Sequence, residues 1–169
     1  MSLYSVDKLI SEARRIAAEY RRTTGKPLGI SAEIASHDAC VFLDLETSED
    51  ANGYDATGLT GERKGLHFQI KGRAIFDEKK GGQRIGQIKI EQNWDRLLLV
   101  LMDEDFETTE IYEASRDDLL GDLEEAGTSN RKKRGAISVA RFKRLSHLVW
   151  SKDEGLIENE VWSNQANSK

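Results

Sequence analysis

Leu97 to Met102 reads Leu-Leu-Leu-Val-Leu-Met, the longest strongly apolar run in the chain. With Arg96 before it and Asp103 after it, the run has no polar face to turn toward water. It carries the mark of a buried central strand, covered on both sides. It is far too short to span a bilayer.

The segments around that strand have different textures. Val6, Leu9, Ile10, Ala13, Ile16, Ala17 and Tyr20 recur at helical spacing. Ser5 is placed to cap the start of this helix, and Gly25-Lys26-Pro27 ends it. A second, shorter helix follows Ser31, which can cap it. Val41 to Leu45 either extends that helix or opens a strand. Thr47 to Gly53 is polar and reads as a loop. Strands are predicted at Tyr54 to Thr57, Leu66 to Ala74, Arg96 to Met102 and Thr108 to Ala114, with a glycine-punctuated turn from Gly58 to Gly65. Arg84 to Ile90 reads as a strand or a short helix, Arg116 to Glu125 as a helix, and Ser138 to Phe142 as a last strand or helix. Helices, then strands, then a helix predict a mixed α/β or α+β domain. It is expected to cover residues 1–152, with 153–169 as a C-terminal tail.

The chain has 169 residues, 38% of them hydrophobic and 33% charged, which suits one domain with a solvated surface. The N-terminus shows no basic segment followed by an apolar stretch, so no secretory signal is expected. One cysteine, Cys40, excludes an internal disulfide and fits a reducing cytoplasm. The net charge of −5 gives no global attraction to nucleic acid or to an anionic membrane. Binding to nucleic acid must then use a local patch. Candidates are Arg14, Arg15, Arg21 and Arg22, then Arg63 and Lys64, then Arg131 to Arg134; each is equally a solvated face.

The stretch richest in chemistry is Gly53-Tyr54-Asp55-Ala56 followed by Phe68-Gln69-Ile70-Lys71-Gly72-Arg73. Strand residues two apart point the same way, so Gln69 and Lys71 share one face while Leu66, Phe68 and Ile70 share the other. A hairpin through Gly58 to Gly65 brings Asp55 beside Gln69. A carboxylate, an amide oxygen and an ammonium then converge. Magnesium or manganese takes hard oxygen ligands such as the Asp55 carboxylate, the Gln69 amide and the Ile70 carbonyl. Lys71 can orient a water or neutralise charge on a phosphoryl group. In the plainer reading Asp55 is a turn residue and Lys71 its surface ion-pair partner, worth little.

In these residues the chain resembles the PD-(D/E)XK nuclease-like superfamily. That pattern has an Asp on one strand, then an acidic or Gln residue, any residue and Lys on the next; here Asp55, then Gln69-Ile70-Lys71. It also resembles an uncharacterised bacterial branch with Gly-Tyr-Asp-Ala and Gln-Ile-Lys-Gly-Arg. The resemblance covers roughly Ser31 to Ala114. It implies a restriction-endonuclease-like fold, a mixed central sheet flanked by helices. It implies a metal-dependent endonuclease or phosphodiesterase, with Glu33 joining Asp55, Gln69 and Lys71 at the site. The implied partner is nucleic acid, DNA before RNA, and a homodimer, which small members of the fold often need to grip both strands. Gln69 stands where the pattern usually has an acid. Losing that charge forfeits about 1–4 kcal/mol per unit of ion charge, so the metal is expected to bind weakly without substrate phosphate. The alternative is a module of the same fold that binds nucleic acid or a partner protein without catalysis.

Arg73 shares the Lys71 face and is a phosphate contact or a strand-end charge. Arg63 and Lys64 lie in the hairpin turn, where a nucleic-acid backbone can approach. His67 reads as a polar strand residue, and His37 and His147 lack partners at metal-ligand spacing. Cys40 reads as a small core residue. Gly81 to Gly86 lacks the Lys-Ser/Thr ending of a phosphate loop. Asp103 to Asp105 lacks calcium-loop spacing. Trp94 and Trp150 read as core or interface aromatics.

Overall fold

The computed structural model describes residues 5–48, 53–79, 81–125 and 137–157. The first helix, α1 (Val6–Thr24), begins where the sequence places it, with the Ser5 hydroxyl accepting from Lys8 N at 3.2 Å. It ends at Gly25, whose φ of 74° closes the last turn in the left-handed conformation. The second helix, α2 (Ser31–Leu43), absorbs most of the segment left open by the sequence, and β1 (Leu45–Thr47) starts two residues later. Ser31 is not its cap. Ile30 holds that position with no side-chain hydrogen bond, and the first turn is closed by the backbone, Ile34 N to Ile30 O at 3.3 Å.

Then come β2 (Ala56–Gly58), a 3-10 turn (Gly61–Arg63), β3 (His67–Ala74), β4 (Arg96–Met102), β5 (Thr108–Ser115), α3 (Arg116–Glu125), α4 (Val139–Leu145), β6 (His147–Ser151) and β7 (Gly155–Leu156). The strands form one sheet in chain order, β1 to β7. Every neighbouring pair is antiparallel except β3 and β4, which run parallel from Phe68↔Arg96 to Ala74↔Met102. The chain is thus a mixed α/β fold. Among the described residues no helix is long and apolar enough to cross a membrane.

β4 shows why both faces of the sheet are dry. Leu98, Val100 and Met102 pack with Ile34, Ala35, Ala39 and Ala17, under α1 and α2. Leu97, Leu99 and Leu101 pack with Leu119 of α3 and with Val139 and Phe142 of α4. Alternation on one apolar strand feeds two cores, which is the arrangement the Leu97–Met102 run demands.

The 75–95 crossover between the parallel strands departs from expectation. Arg84 to Ile90 is neither strand nor helix; it makes one isolated bridge, Arg84↔Ser138. Ile85, Ile88 and Trp94 are nevertheless buried, at 3%, 2% and 2% exposure, and serve as a lid on the second core. The Arg116 guanidinium satisfies the carbonyls this irregular backbone leaves over, donating to Gln92 O at 2.6 Å, to Trp94 O at 3.1 Å and to Ile90 O. Two elements went unanticipated. β6 is a strand that the sequence reading passed over, and Gly155–Leu156, assigned there to the tail, pairs with it as β7. Residues 131–134, the late basic run, lie outside the described residues.

Candidate functional site

β3 is the organising element. Phe68 is fully buried against α2, and Leu66 and Ile70 pack on the same cluster, so Gln69, Lys71 and Arg73 project from the opposite face. Gln69 is 3% exposed and Lys71 half-buried, while Arg73 is exposed.

Asp55 sits just before β2, where that strand lets go of β3. Its amide donates to Phe68 O at 2.7 Å, and its carbonyl accepts from Ser48 N at 2.9 Å. Its Oδ2 then continues the ladder, accepting from Ile70 N at 2.7 Å. The carboxylate therefore holds a fixed position on the open edge of β3. The Ile70 carbonyl lies on that same edge, because the N–H and C=O of one strand residue point to the same side. Asp55 thus lies against the β3 backbone at Phe68 and Ile70, on either side of Gln69.

Lys71 forms no ion pair within 4.0 Å among the described residues. The direct Asp55–Lys71 surface salt bridge of the plainer reading is absent. Burial lowers the Lys71 pKa from its ordinary value; the Asp55 charge opposes that shift and Lys89 adds to it. Lys89 comes from the irregular crossover, and nothing in its local sequence marks it. Its backbone is pinned by the Trp94 indole, which donates to Lys89 O at 2.8 Å.

An open cleft of about 410 Å³ runs along this edge, lined by Ser36, Thr47, Ser48, Gly53, Tyr54, Asp55, Lys89 and Gln92. Gly53 (φ 85°) lets the chain entering β2 approach residues 92 and 93; a Cβ there would meet Asn93 N at 3.1 Å. Tyr54 stacks on His67 with ring centroids 3.9 Å apart, which ties one cleft wall to β3 and accounts for His67 without a ligand role.

The other expected residues fare differently. Glu33 is exposed in the first turn of α2, three residues before Ser36 and so on the same stripe, but no hydrogen bond ties it to Asp55. Arg63 is withdrawn from solvent. Its Nε lies 2.7 Å from Glu113 Oε2, and Arg96 holds the other oxygen of that buried carboxylate. The expected contact of Arg63 with nucleic acid is therefore replaced by a structural ion pair, invisible in the sequence because its partner is 50 residues away. Lys64, next to it, stays exposed.

Among the described residues no three His, Cys, Asp or Glu side chains group as metal ligands. One observation nevertheless favours a ligand here. Gln69 Oε1 is buried with no hydrogen-bond partner among the described residues, a costly state for an amide oxygen. Asp55, the Gln69 amide and the Ile70 carbonyl are all hard oxygen donors of the kind a magnesium-sized ion accepts. The hydrogen bond from Ile70 N orients the carboxylate as outer-shell partners orient metal ligands.

Cys40 lies on the same stripe of α2 as Ser36. Burial first, and then the Asp55 charge, push its thiol from 9.0 to about 11. The unfolded chain then loses this proton first, so it binds fewer protons than the folded state between those values. Stability is expected to fall as pH rises from about 9 toward about 11. Urea midpoints of wild type and Cys40→Ala across that window check this, the difference separating the thiol from Tyr112, itself raised to about 12 by burial and Glu110. Equal slopes in the two proteins would refute it.

No protein-family model matches the chain, and a search of curated proteins finds no relative.

Proposed function

We propose that the chain is a divalent-metal-dependent nuclease of the PD-(D/E)XK type, with a restriction-endonuclease-like core, acting on DNA before RNA. The observation that carries the proposal is that β3 bears both the half-buried Lys71, with no ion pair among the described residues, and the buried Gln69 oxygen, with no hydrogen-bond partner among them, while the Asp55 carboxylate is fixed on the Ile70 amide of the same strand. The parallel β3/β4 pair, with helices over both sheet faces, agrees with the resemblance.

Asp55, Gln69 and the Ile70 carbonyl would hold magnesium or manganese, with Glu33 one helical turn from the cleft. The bound ion supplies Lewis-acid stabilisation of charge on the phosphoryl oxygens. Lys71, with no ion-pair partner among the described residues, offers its ammonium to the same phosphate, whose charge favours the protonated form that burial opposes. Lys89 supplies a cation at the cleft, and Arg73 and Lys64 extend the exposed cationic surface. Tyr54 gives the cleft an aromatic wall.

The test is cleavage of plasmid, linear duplex, single-stranded DNA and RNA with magnesium and with manganese. Lys71→Ala and Asp55→Ala are each expected to lower the rate at least about 100-fold. Asp55→Asn controls for folding, since its amide oxygen can still accept from Ile70 N. Cleavage that survives these substitutions, or absence of metal binding even with duplex present, would overturn the assignment.

A second reading, a nuclease-fold module that binds without cutting, draws support from Arg63 being spent on Glu113 and from the net charge of −5. Duplex binding that depends on Lys71 and Lys89, with no cleavage under any metal, would select it.

A further inference from the structure

α1 has two apolar faces, and among the described residues only one of them is packed. Ile10, Ala17 and Ala18 turn toward the domain, where Arg14 also reaches Asp38. Val6, Leu9, Ile16 and Tyr20 stay in solvent at 66%, 49%, 50% and 40% exposure. They account for four of the seven exposed large hydrophobics among the described residues, so the exposure is concentrated on one helix. With the half-buried Ala13 between them, the residues run 6, 9, 13, 16, 20. Alternating steps of three and four are the spacing of a helix-pairing seam.

The flank of this stripe away from the domain carries Lys8, Glu12, Arg15 and Glu19. Read along the helix, their charges alternate, plus, minus, plus, minus. Read backwards they become minus, plus, minus, plus. An antiparallel copy therefore sets Lys8 opposite Glu19 of the second copy, and Glu12 opposite its Arg15. The centre of that charge pattern falls between residues 13 and 14, and the centre of the apolar stripe falls on residue 13. A two-fold axis across an antiparallel helix pair keeps both charged flanks on the same side, as this matching requires.

We propose that the exposed face of α1 is a two-fold dimer contact between copies of this chain. The apolar stripes form the seam, and the alternating charges fix the antiparallel direction. The stripe from Val6 to Tyr20, at about 1.5 Å per residue, makes a contact about 21 Å long. A single helix seam of that length offers less than the ~800 Å² per partner of a standard interface. The dimer is accordingly weak and concentration-dependent. Its charge pairs are exposed, so added salt weakens it further. The contact is independent of the cleft, and it stands or falls apart from the nuclease assignment.

Sedimentation equilibrium across the micromolar range is the test. Wild type is expected to shift from monomer to dimer with concentration. Leu9→Glu/Ile16→Glu is expected to remain monomeric throughout, with unchanged far-ultraviolet circular dichroism. Two charge variants identify the occupant as a second copy. Lys8→Glu/Arg15→Glu makes the flank wholly acidic, and Glu12→Lys/Glu19→Lys makes it wholly basic. Each alone is expected to be monomeric, and the two mixed are expected to associate. A wild type that stays monomeric, a dimer that survives Leu9→Glu/Ile16→Glu, or charge variants that fail to recombine when mixed would each overturn the proposal.

Discussion

Arg14→Ala is expected to destabilise the fold by about 3–5 kcal/mol, the range for removing one partner of a buried ion pair. The Arg14 guanidinium holds Asp38 with N–O distances of 2.9 and 2.7 Å, and its Nε donates to Phe106 O at 2.9 Å. Asp38 is 5% exposed and also accepts from the Thr108 hydroxyl at 2.6 Å. One side chain thus joins α1 to α2 and to the turn before β5. Without it a carboxylate stays buried with only a hydroxyl for company, and the Phe106 carbonyl loses its donor. Phe106 has φ 61°, unusual for a non-glycine residue, and its ring is 1% exposed, so the turn has little room to adjust. Urea unfolding measures the effect as a lower midpoint at an unchanged slope. Arg14→Met/Asp38→Leu, which removes both charges, is expected to recover most of the loss. A loss below about 1 kcal/mol for Arg14→Ala would show the pair to behave like an exposed one.

Gly72→Ala is expected to cost about 3 kcal/mol, the upper end for overpacking a core. A Cβ on Gly72 would stand 2.5 Å from Ala35 Cβ, 2.9 Å from Ser31 O and 3.2 Å from Met102 Cε. Only the methionine is the flexible end of a side chain; the first two belong to α2 and move only with the helix. The missing side chain is what lets α2 lie directly on β3, and the consequence reaches the cleft, because α2 carries Ser36 and β3 holds the Asp55 carboxylate through the Ile70 amide. Under the proposed function, Gly72→Ala is therefore expected to weaken metal and nucleic-acid binding as well as stability. Gly72→Ala/Ala35→Gly should return part of the stability, leaving the Ser31 carbonyl contact unrelieved. Thermal denaturation of the three proteins reads this directly. A Gly72→Ala protein as stable as wild type would mean that α2 does not press on β3 as described.

Several features were legible because their cause is local. The Ser5 hydroxyl and Gly25 bound α1 through the backbone groups of a single turn each. Period-two alternation separates Phe68 and Ile70 from Gln69 and Lys71, and one apolar run announces a strand buried on both faces. Asp55 could be brought beside Gln69 because only a short hairpin separates them, and the structure places its carboxylate on the Ile70 amide.

The rest depends on partners distant in sequence. Arg84 to Ile90 has enough apolar residues for a strand, yet Arg116 takes the Ile90 carbonyl, the Trp94 indole takes that of Lys89, and the second core takes Ile85 and Ile88. Arg63 looks like a solvent-facing turn cation until Glu113 and Arg96 arrive from β5 and β4. Lys89 reaches the Lys71 side of the sheet only because Trp94 and Arg116 fold the crossover back upon it. β6 exists because β5 offers an edge to pair with, and β7 because β6 then does, not because their sequences insist on it. The sequence by itself determined the chain's local periodicities and caps, which short-range sterics and hydrogen bonds decide. Only the tertiary structure decided which charges are spent on each other and which remain available to a ligand, because that depends on burial and on pairings between residues far apart along the chain.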